Sequence, residues 1–206
     1  MTSTNDRTLQ SYNDHVEEYM SQTLQHATED WKIWIDENLR ALDTSAKILE
    51  IGSAFGRDAD YMESLGYAVQ RTDASSSFVK LLQEQGNDAQ LLNVLSSPLP
   101  AGLDMVFASA VLLHFTRDEA RAVIAKVYDS LNANGRFVFS LKIGDGEETT
   151  DAKLGAPRYF CYWQALDIEK ELRAAGFTAV KIVAAGDYRS DKPYWLLISA
   201  VKGAAA

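Results

Sequence analysis

The sequence predicts an α/β domain: a doubly wound, mostly parallel seven-stranded sheet with one strand reversed near the C-terminal end, and an N-terminal helical cap. Three observations predict it. Short apolar runs alternate with helical segments between residues 47 and 143. LDMVFASAV (103–111) is apolar almost throughout, as a strand buried on both faces must be. TAVKIVAAGDY (178–188) and YWLLISAVK (194–202) are joined by a link too short for a helical crossover, so that pair is antiparallel.

Taken in order, residues 5–42 carry helical patterns with aromatics at Tyr12, Tyr19, Trp31 and Trp34 and no strand-like run. KILEIG (47–52) is the first strand, and GRDADYMESLG (56–66) a helix closed by Gly66. AVQRTD (68–73) is the second strand. SSFVKLLQEQG (76–86) follows as a helix with a serine cap and a glycine stop. DAQLLNV (88–94) is the third strand and 103–111 the fourth. Thr116 and Glu119 form a T-x-x-E capping box for a helix running to about Leu131, with NANG as its exit. RFVFSLKI (136–143) is the fifth strand, and 164–175 a helix ended by Gly176. A chain of 206 residues suits one such domain, with residues 1–43 as the cap and 44–206 as the core.

Composition excludes several function classes. The net charge of −9 offers no basic footprint for phosphates, so no nucleic-acid partner is expected. A small or cationic substrate fits that balance better. The single cysteine, Cys161, rules out an intrachain disulfide, and three histidines with one cysteine give no transition-metal spacing. Asp145, Glu147, Glu148 and Asp151 cluster after the fifth strand, where a solvated acidic loop and a metal site compete, and no metal is assigned. The polar N-terminus has no signal-peptide core, and no apolar stretch approaches a membrane span. The expectation is a cytoplasmic protein, monomeric or homodimeric, with no membrane partner.

The stretch ILEIGSAFGRD (48–58) turns from strand to helix at the carboxyl edge of the sheet, where doubly wound folds bind ligands. Gly52 and Gly56 allow backbone conformations that other residues avoid and let a ligand approach the main chain, while the helix start favours an anion. A dinucleotide pyrophosphate would want glycines at 52, 54 and 57; the chain has Gly52, Ala54 and Arg57. Arg57 suits a carboxylate, which a guanidinium grips through two parallel hydrogen bonds. Asp73 ends the second strand about 20 residues on, where an acid accepts from ribose hydroxyls. A ligand with a ribose and a carboxylate but no pyrophosphate describes S-adenosylmethionine.

With that stretch, FASAVLLHF (107–115), LNANGRFVFSLKIGDGEE (131–148) and PRYFCYW (157–163) stand in the order of the motifs of a known family. The chain resembles the class I S-adenosylmethionine-dependent methyltransferases, particularly small single-domain bacterial ones, over nearly its whole length. The resemblance implies a Rossmann-like methyltransferase fold, S-adenosylmethionine as cofactor, S-adenosylhomocysteine as product, and methyl transfer to N, O or S of a small-molecule acceptor. Ser53 and Ala54 stand where the family often has glycines and remain small enough for close approach.

On this reading Gly52, Ser53, Ala54, Gly56 and Arg57 hold the methionine moiety, and Glu50 acts through water or the turn backbone. Asp73 takes the ribose, and Ala74 beside it is a further cofactor-binding residue. Asn93 and Val94 lie at the adenine edge, with a helix cap or loop bond as the other role for Asn93. Ser109, Ala110 and Leu112 run past the sulfur, or fill core at a strand end. Tyr12 and Tyr19, at i and i+7, share one helix face, either as a lid over the cofactor or as packing. His114 is a candidate general base, or a packing residue. Lys142, Arg158, Tyr159 and Tyr162 join Tyr12 and His114 on the acceptor side, the last three being alternatively a loop pinned by aromatics.

Competing functions are methylation of a protein or tRNA, a NAD(P)-dependent oxidoreductase, and a non-catalytic cofactor-binding module. Ser109-Ala110-Val111-Leu112 lacks the Asp/Asn-Pro-Pro-aromatic signature of nucleic-acid amino methylation. The missing third glycine and the reversed last strand disfavour the oxidoreductase.

Overall fold

The computed structural model describes residues 3–187 and 190–204. Its main sheet has seven strands: β1 (Ile48–Ile51), β2 (Val69–Asp73), β3 (Ala89–Leu91), β4 (Leu103–Ala108), β5 (Leu131–Lys142), β8 (Phe177–Asp187) and β9 (Ser190–Lys202). They lie in the order β3-β2-β1-β4-β5-β9-β8. β1, β2, β3, β4 and β5 pair in parallel. β9 runs antiparallel to both β5 and β8, so it is the reversed strand. The strand order reverses between β1 and β4, which puts the ligand crevice above their carboxyl ends.

Both faces are covered, and alternation along β4 shows how. Met105 and Phe107 point into one cluster with Trp34, Ile35 and Leu39 of α3 (Glu29–Leu39) and Met62 of α4 (Arg57–Ser64). Val106 and Ala108 point into the other, with Val123, Ile124 and Val127 of α6 (Arg117–Ser130) and Ile168 and Leu172 of α7 (Ala165–Ala174). The Thr116–Glu119 capping box starts α6, each residue's side chain accepting from the other's backbone N–H. α6 then runs straight into β5, with Asn134 in the left-handed region (φ 64°), so NANG belongs to the strand and not to a separate exit loop.

Two features depart from the sequence expectation. Tyr12 and Tyr19 do not share one helix: α1 (Thr4–Asp14) ends at His15 (φ −131°, ψ 42°), and α2 (Val16–Ser21) restarts there. The bend still brings the two rings together in a T-shaped pair, their centroids 5.3 Å apart. The second is a hairpin. β6 (Glu147–Thr150) pairs antiparallel with β7 (Arg158–Cys161), in the register Glu147 to Cys161 and Thr150 to Arg158. The acidic segment is thus an edge strand, with the Glu148 carboxylate accepting from the Tyr162 hydroxyl and Asp145 accepting from Gln164 Nε2. Among the described residues no cluster of acids, histidines and cysteine could hold a metal ion, and no helix is long and apolar enough to cross a membrane.

α1 ties this hairpin to the sheet. The Tyr159 N–H donates to Thr8 Oγ1, and the Ser11 hydroxyl donates to the Pro157 carbonyl. At its other end Asn13 Oδ1 accepts from the Ser75 hydroxyl and the Ser77 N–H, at the start of α5 (Ser76–Glu84).

Candidate active site

The turn after β1 is stitched to β2 by its own backbone. The N–H groups of Gly52 and Ser53 both donate to the Thr72 carbonyl, at 2.8 and 2.9 Å. Asp73 closes the stitch, its Oδ2 accepting from the Ala54 N–H at 2.8 Å and its Oδ1 from the Ser75 N–H at 2.7 Å. Gly52, Ala54 and Gly56 all have positive φ (76°, 48° and 91°), a conformation that strains a residue carrying Cβ. The glycines serve packing as well as approach. A Cβ at Gly52 would lie 2.5 Å from Val111 Cγ2, and one at Gly56 would lie 2.4 Å from Arg71 Nη1. Arg71 is 2% exposed and bonds Asp60 and Glu63 at 2.7 Å each, beneath α4. The expectation that these positions stay open for a ligand therefore holds only in part, since their Cβ side is filled by the protein.

Two adjoining cavities open over the turn. The larger, about 430 Å³, is bounded on one side by Glu50, Ser53, Arg57 and Asp58 and on the other by Lys142, Arg158, Phe160 and Trp195. The smaller, about 100 Å³, is bounded by Asp73, Ala74, Phe78, Leu92, Asn93 and Val94. Both touch Tyr12, Tyr19, Gly52, Ala54, Ser109, Ala110 and His114. The residues assigned to ribose and adenine thus border the smaller lobe; of those assigned to the methionine moiety, Ser53 and Arg57 border the larger, Gly52 and Ala54 border both, and Gly56 borders neither, its Cβ side being filled by Arg71.

Charges in the larger lobe are perturbed by burial. Glu50 is 2% exposed, and its Oε2 has no hydrogen-bond partner among the described residues. Burial first, then the nearby Asp58, pushes its carboxyl up to about 8. Arg57 bonds its neighbour Asp58 through Nε (2.7 Å) and Nη2 (3.1 Å), so its fork is engaged within the protein and only its remaining N–H groups are available to a ligand. In the smaller lobe burial raises Asp73 to about 6, opposed by its backbone hydrogen bonds. Asn93 Oδ1 accepts from the Leu95 N–H, so the loop bond is made while the residue still borders the lobe.

After β4 the chain enters a short 3-10 turn, Leu112–His114. Ala110 is left-handed (φ 56°), and its N–H donates to Ser140 Oγ at 2.8 Å; strain of this kind gathers at functional edges. Ser109 Oγ accepts from Trp31 Nε1 at 3.1 Å. Leu112 is fully buried and borders neither lobe, because the 3-10 turn rotates it into the core and presents Leu113 instead.

His114 is held at both nitrogens. Nδ1 lies 2.7 Å from the Tyr159 carbonyl, which can only accept, so Nδ1 carries the hydrogen. Nε2 is then an acceptor and takes the Tyr12 hydroxyl at 2.8 Å. Burial, countered by the Tyr159 bond and reinforced by Arg158 and Lys142, pushes the ring down to about 3. The imidazole is neutral and occupied.

β7 alternates about the cavity wall. Arg158 and Phe160 face the larger lobe, whereas Tyr159 packs into the core and serves the site through its backbone carbonyl. Tyr162 lies beyond the strand and also misses both lobes, its hydroxyl spent on Glu148. Of the aromatic motif, then, Arg158 borders the larger lobe, and Tyr159 and Tyr162 border neither. Phe160, Lys153, Tyr194, Trp195, Trp31 and Phe55 border the larger lobe and Phe78 the smaller, and none of them was singled out for the site from the sequence. Phe160 alone had a readable signal, since it stands two residues from Arg158 and shares its face once the segment is seen to be a strand.

Residues 49–139 match the family model described as a methyltransferase domain. No curated protein matches the chain. Among solved structures, the chain is similar to Burkholderia thailandensis 1,6-didemethyltoxoflavin-N1-methyltransferase with bound 1,6-didemethyltoxoflavin and S-adenosylhomocysteine: 21% identity, 97% of this chain and 87% of that one covered, TM-score 0.72. It is similar to DhpI in its complex with SAH, with 17% identity, 97% of each chain covered and TM-score 0.76. It is also similar to Haemonchus contortus phosphoethanolamine N-methyltransferase 2 with S-adenosyl-L-methionine, with 12% identity, 98% of this chain and 60% of that one covered, and TM-score 0.75. The matched segment spans the stitched turn, the β2 acid and the strained end of β4, and it sits in the seven-stranded sheet with a reversed strand that these structures share. Residues 49–139 thus match a methyltransferase domain, and they lie in a seven-stranded sheet with one reversed strand, the fold the chain has in common with these methyltransferase structures.

Proposed function

We propose that the chain transfers the methyl group of S-adenosylmethionine to N, O or S of a small-molecule acceptor. The observation that carries this reading is the division of the site into two lobes meeting at Gly52, Ala54, Ser109 and Ala110. An acid that can accept from a ribose borders one lobe, and a buried carboxyl with one unpartnered oxygen, together with an arginine, borders the other.

The residues fit the methyl donor by chemistry. Asp73 takes the ribose, Ala74, Asn93 and Val94 the adenine edge, and the remaining Arg57 N–H groups the methionine carboxylate. Glu50 Oε2, a buried acceptor in want of a donor, takes the ammonium, directly or through water. When bound, S-adenosylmethionine supplies an electrophilic methyl: an acceptor lone pair forms the new bond to carbon as the C–S bond breaks with its electrons on sulfur.

The chain's own task is alignment. Ala110 and Ser109 define the floor where the lobes meet, and Tyr12 and Tyr19 cover it from α1 and α2. Placing acceptor and methyl in line this way supplies roughly 7–11 kcal/mol of barrier reduction. His114 holds the Tyr12 hydroxyl in place and does not remove a proton, because its basic nitrogen is occupied and burial weakens it as a base.

Isothermal titration with S-adenosylhomocysteine tests the reading. The parent protein should bind, and Asp73→Asn should weaken binding by roughly 10- to 100-fold, the worth of hydrogen bonds to a charged group. A parent that gives no binding heat at any temperature tried would end the reading.

A further inference from the structure

The acceptor-side wall contains a buried arginine that the donor does not account for. Arg158 is 6% exposed, yet no described carboxylate pairs with it. Among the described residues its one side-chain hydrogen bond is long, Nη1 to the Tyr12 hydroxyl at 3.3 Å, and its Nε is buried without a partner. Two ring faces cover the guanidinium, those of Phe160 and Tyr12, with centroids at 5.0 and 5.7 Å. A guanidinium is always charged, and taking it out of water without an anion costs several kcal/mol, which ring faces offset only in part. Native interiors keep such a charge where an anion arrives to meet it.

The rest of the wall has the same sign. Lys142 places its ammonium 3.9 Å from the Phe160 ring centroid, and Lys153 borders the same lobe from beside Tyr19. Glu148, an acid among the described residues that border this lobe, is bonded to Tyr162. The donor's own carboxylate has Arg57 on the opposite wall. The net charge of −9 thus does not describe this part of the pocket, where Arg158, Lys142 and Lys153 border one lobe.

We propose that the methyl acceptor is an oxyanion, a carboxylate, phosphate, phosphonate or sulfonate on a body small enough for the aromatic wall, anchored through its anionic group on Arg158. This rests on the methyl-transfer reading for what happens next, but not for the anion site itself. The fork of Arg158 takes two oxygens of the anion, Lys142 adds charge, and Phe160 and Trp195 take the apolar body.

The test titrates benzoate and phenyl phosphate against their neutral analogues benzamide and phenol, with and without saturating S-adenosylhomocysteine. The anions should bind at least about tenfold tighter than the neutral partners, and Arg158→Gln should remove most of that ratio while S-adenosylhomocysteine affinity stays within about twofold. Arg158→Lys should keep part of the ratio, a point charge without the fork. Lys142→Met is the second arm should the arginine variants unfold, and it should lower the ratio by about threefold. Equal binding of charged and neutral probes by the parent overturns the proposal. So does loss of S-adenosylhomocysteine binding in folded Arg158→Gln, which would move this arginine to the donor. A parent that prefers the anions but does not bind S-adenosylhomocysteine keeps the anion site and overturns the methyl-transfer reading instead.

Discussion

The two walls of the site are built by different means. The donor wall, from β1 through the turn to α4 and the end of β2, is held by main-chain bonds between segments about 20 residues apart, such as Gly52 and Ser53 to Thr72 and Ala54 to Asp73. The acceptor wall joins α1, the β6–β7 hairpin and the ends of β5 and β9. Its bonds run between side chains or from side chain to backbone across most of the chain, Thr8 to Tyr159, Ser11 to Pro157 and Tyr12 to His114. A wall made of backbone geometry restricts which residues can stand in it. A wall made of side chains leaves them free to vary with the ligand.

That contrast can be broken first at Gly52. Gly52→Ala forces a Cβ to 2.5 Å from Val111 Cγ2 at a φ of 76°. Overpacking and backbone strain together should cost roughly 2–4 kcal/mol by chemical denaturation. A loss below about 0.5 kcal/mol would show the donor wall to be as plastic as the other.

Glu50 sharpens it next. A carboxyl raised in the fold from 4.5 to about 8 contributes stability that is fully present below pH 4.5 and is lost as pH rises through 8. Glu50→Gln escapes that loss. Without ligand its melting temperature should exceed the parent's by at least about 2 °C at pH 8.5, with the gap closing toward pH 5, while S-adenosylhomocysteine binds it more weakly. A gap that stays constant with pH would remove the carboxyl's burial as the cause.

Smaller effects are expected across the site. His114→Gln should lower kcat by less than about tenfold, because a positioning residue is lost; a drop of 10²–10⁴ would restore it as a general base. Asn13→Ala removes the acceptor for Ser75 and Ser77 and should cost about 1 kcal/mol or less. Amide exchange in α1 should quicken while that in β1 and β4 stays unchanged.

What could be read in the sequence follows the same division. The sheet, its reversed strand and the T-x-x-E cap were legible because strand period, crossover length and capping are local rules. Asp73 was legible for the same reason, standing at the end of a strand a fixed distance past a glycine turn. Glu147–Thr150 was missed as a strand because an edge strand of polar residues has no apolar face to show. Tyr159 and Tyr162 were placed on the acceptor side because aromatic identity was read without the strand that sets their direction. Leu112 was misplaced by one residue of a 3-10 turn. Trp31 and Trp195 come from helix and reversed strand, and only the folded chain brings their rings to 5.6 Å.

One feature is common to both walls. α1 caps the start of α5 through Asn13, two residues past the acid of the smaller lobe, and carries Tyr12 to both His114 and Arg158. A ligand that settles this helix from one side has ordered it for the other as well. By linkage, any change one ligand makes through this helix in the other's affinity is returned by the same factor.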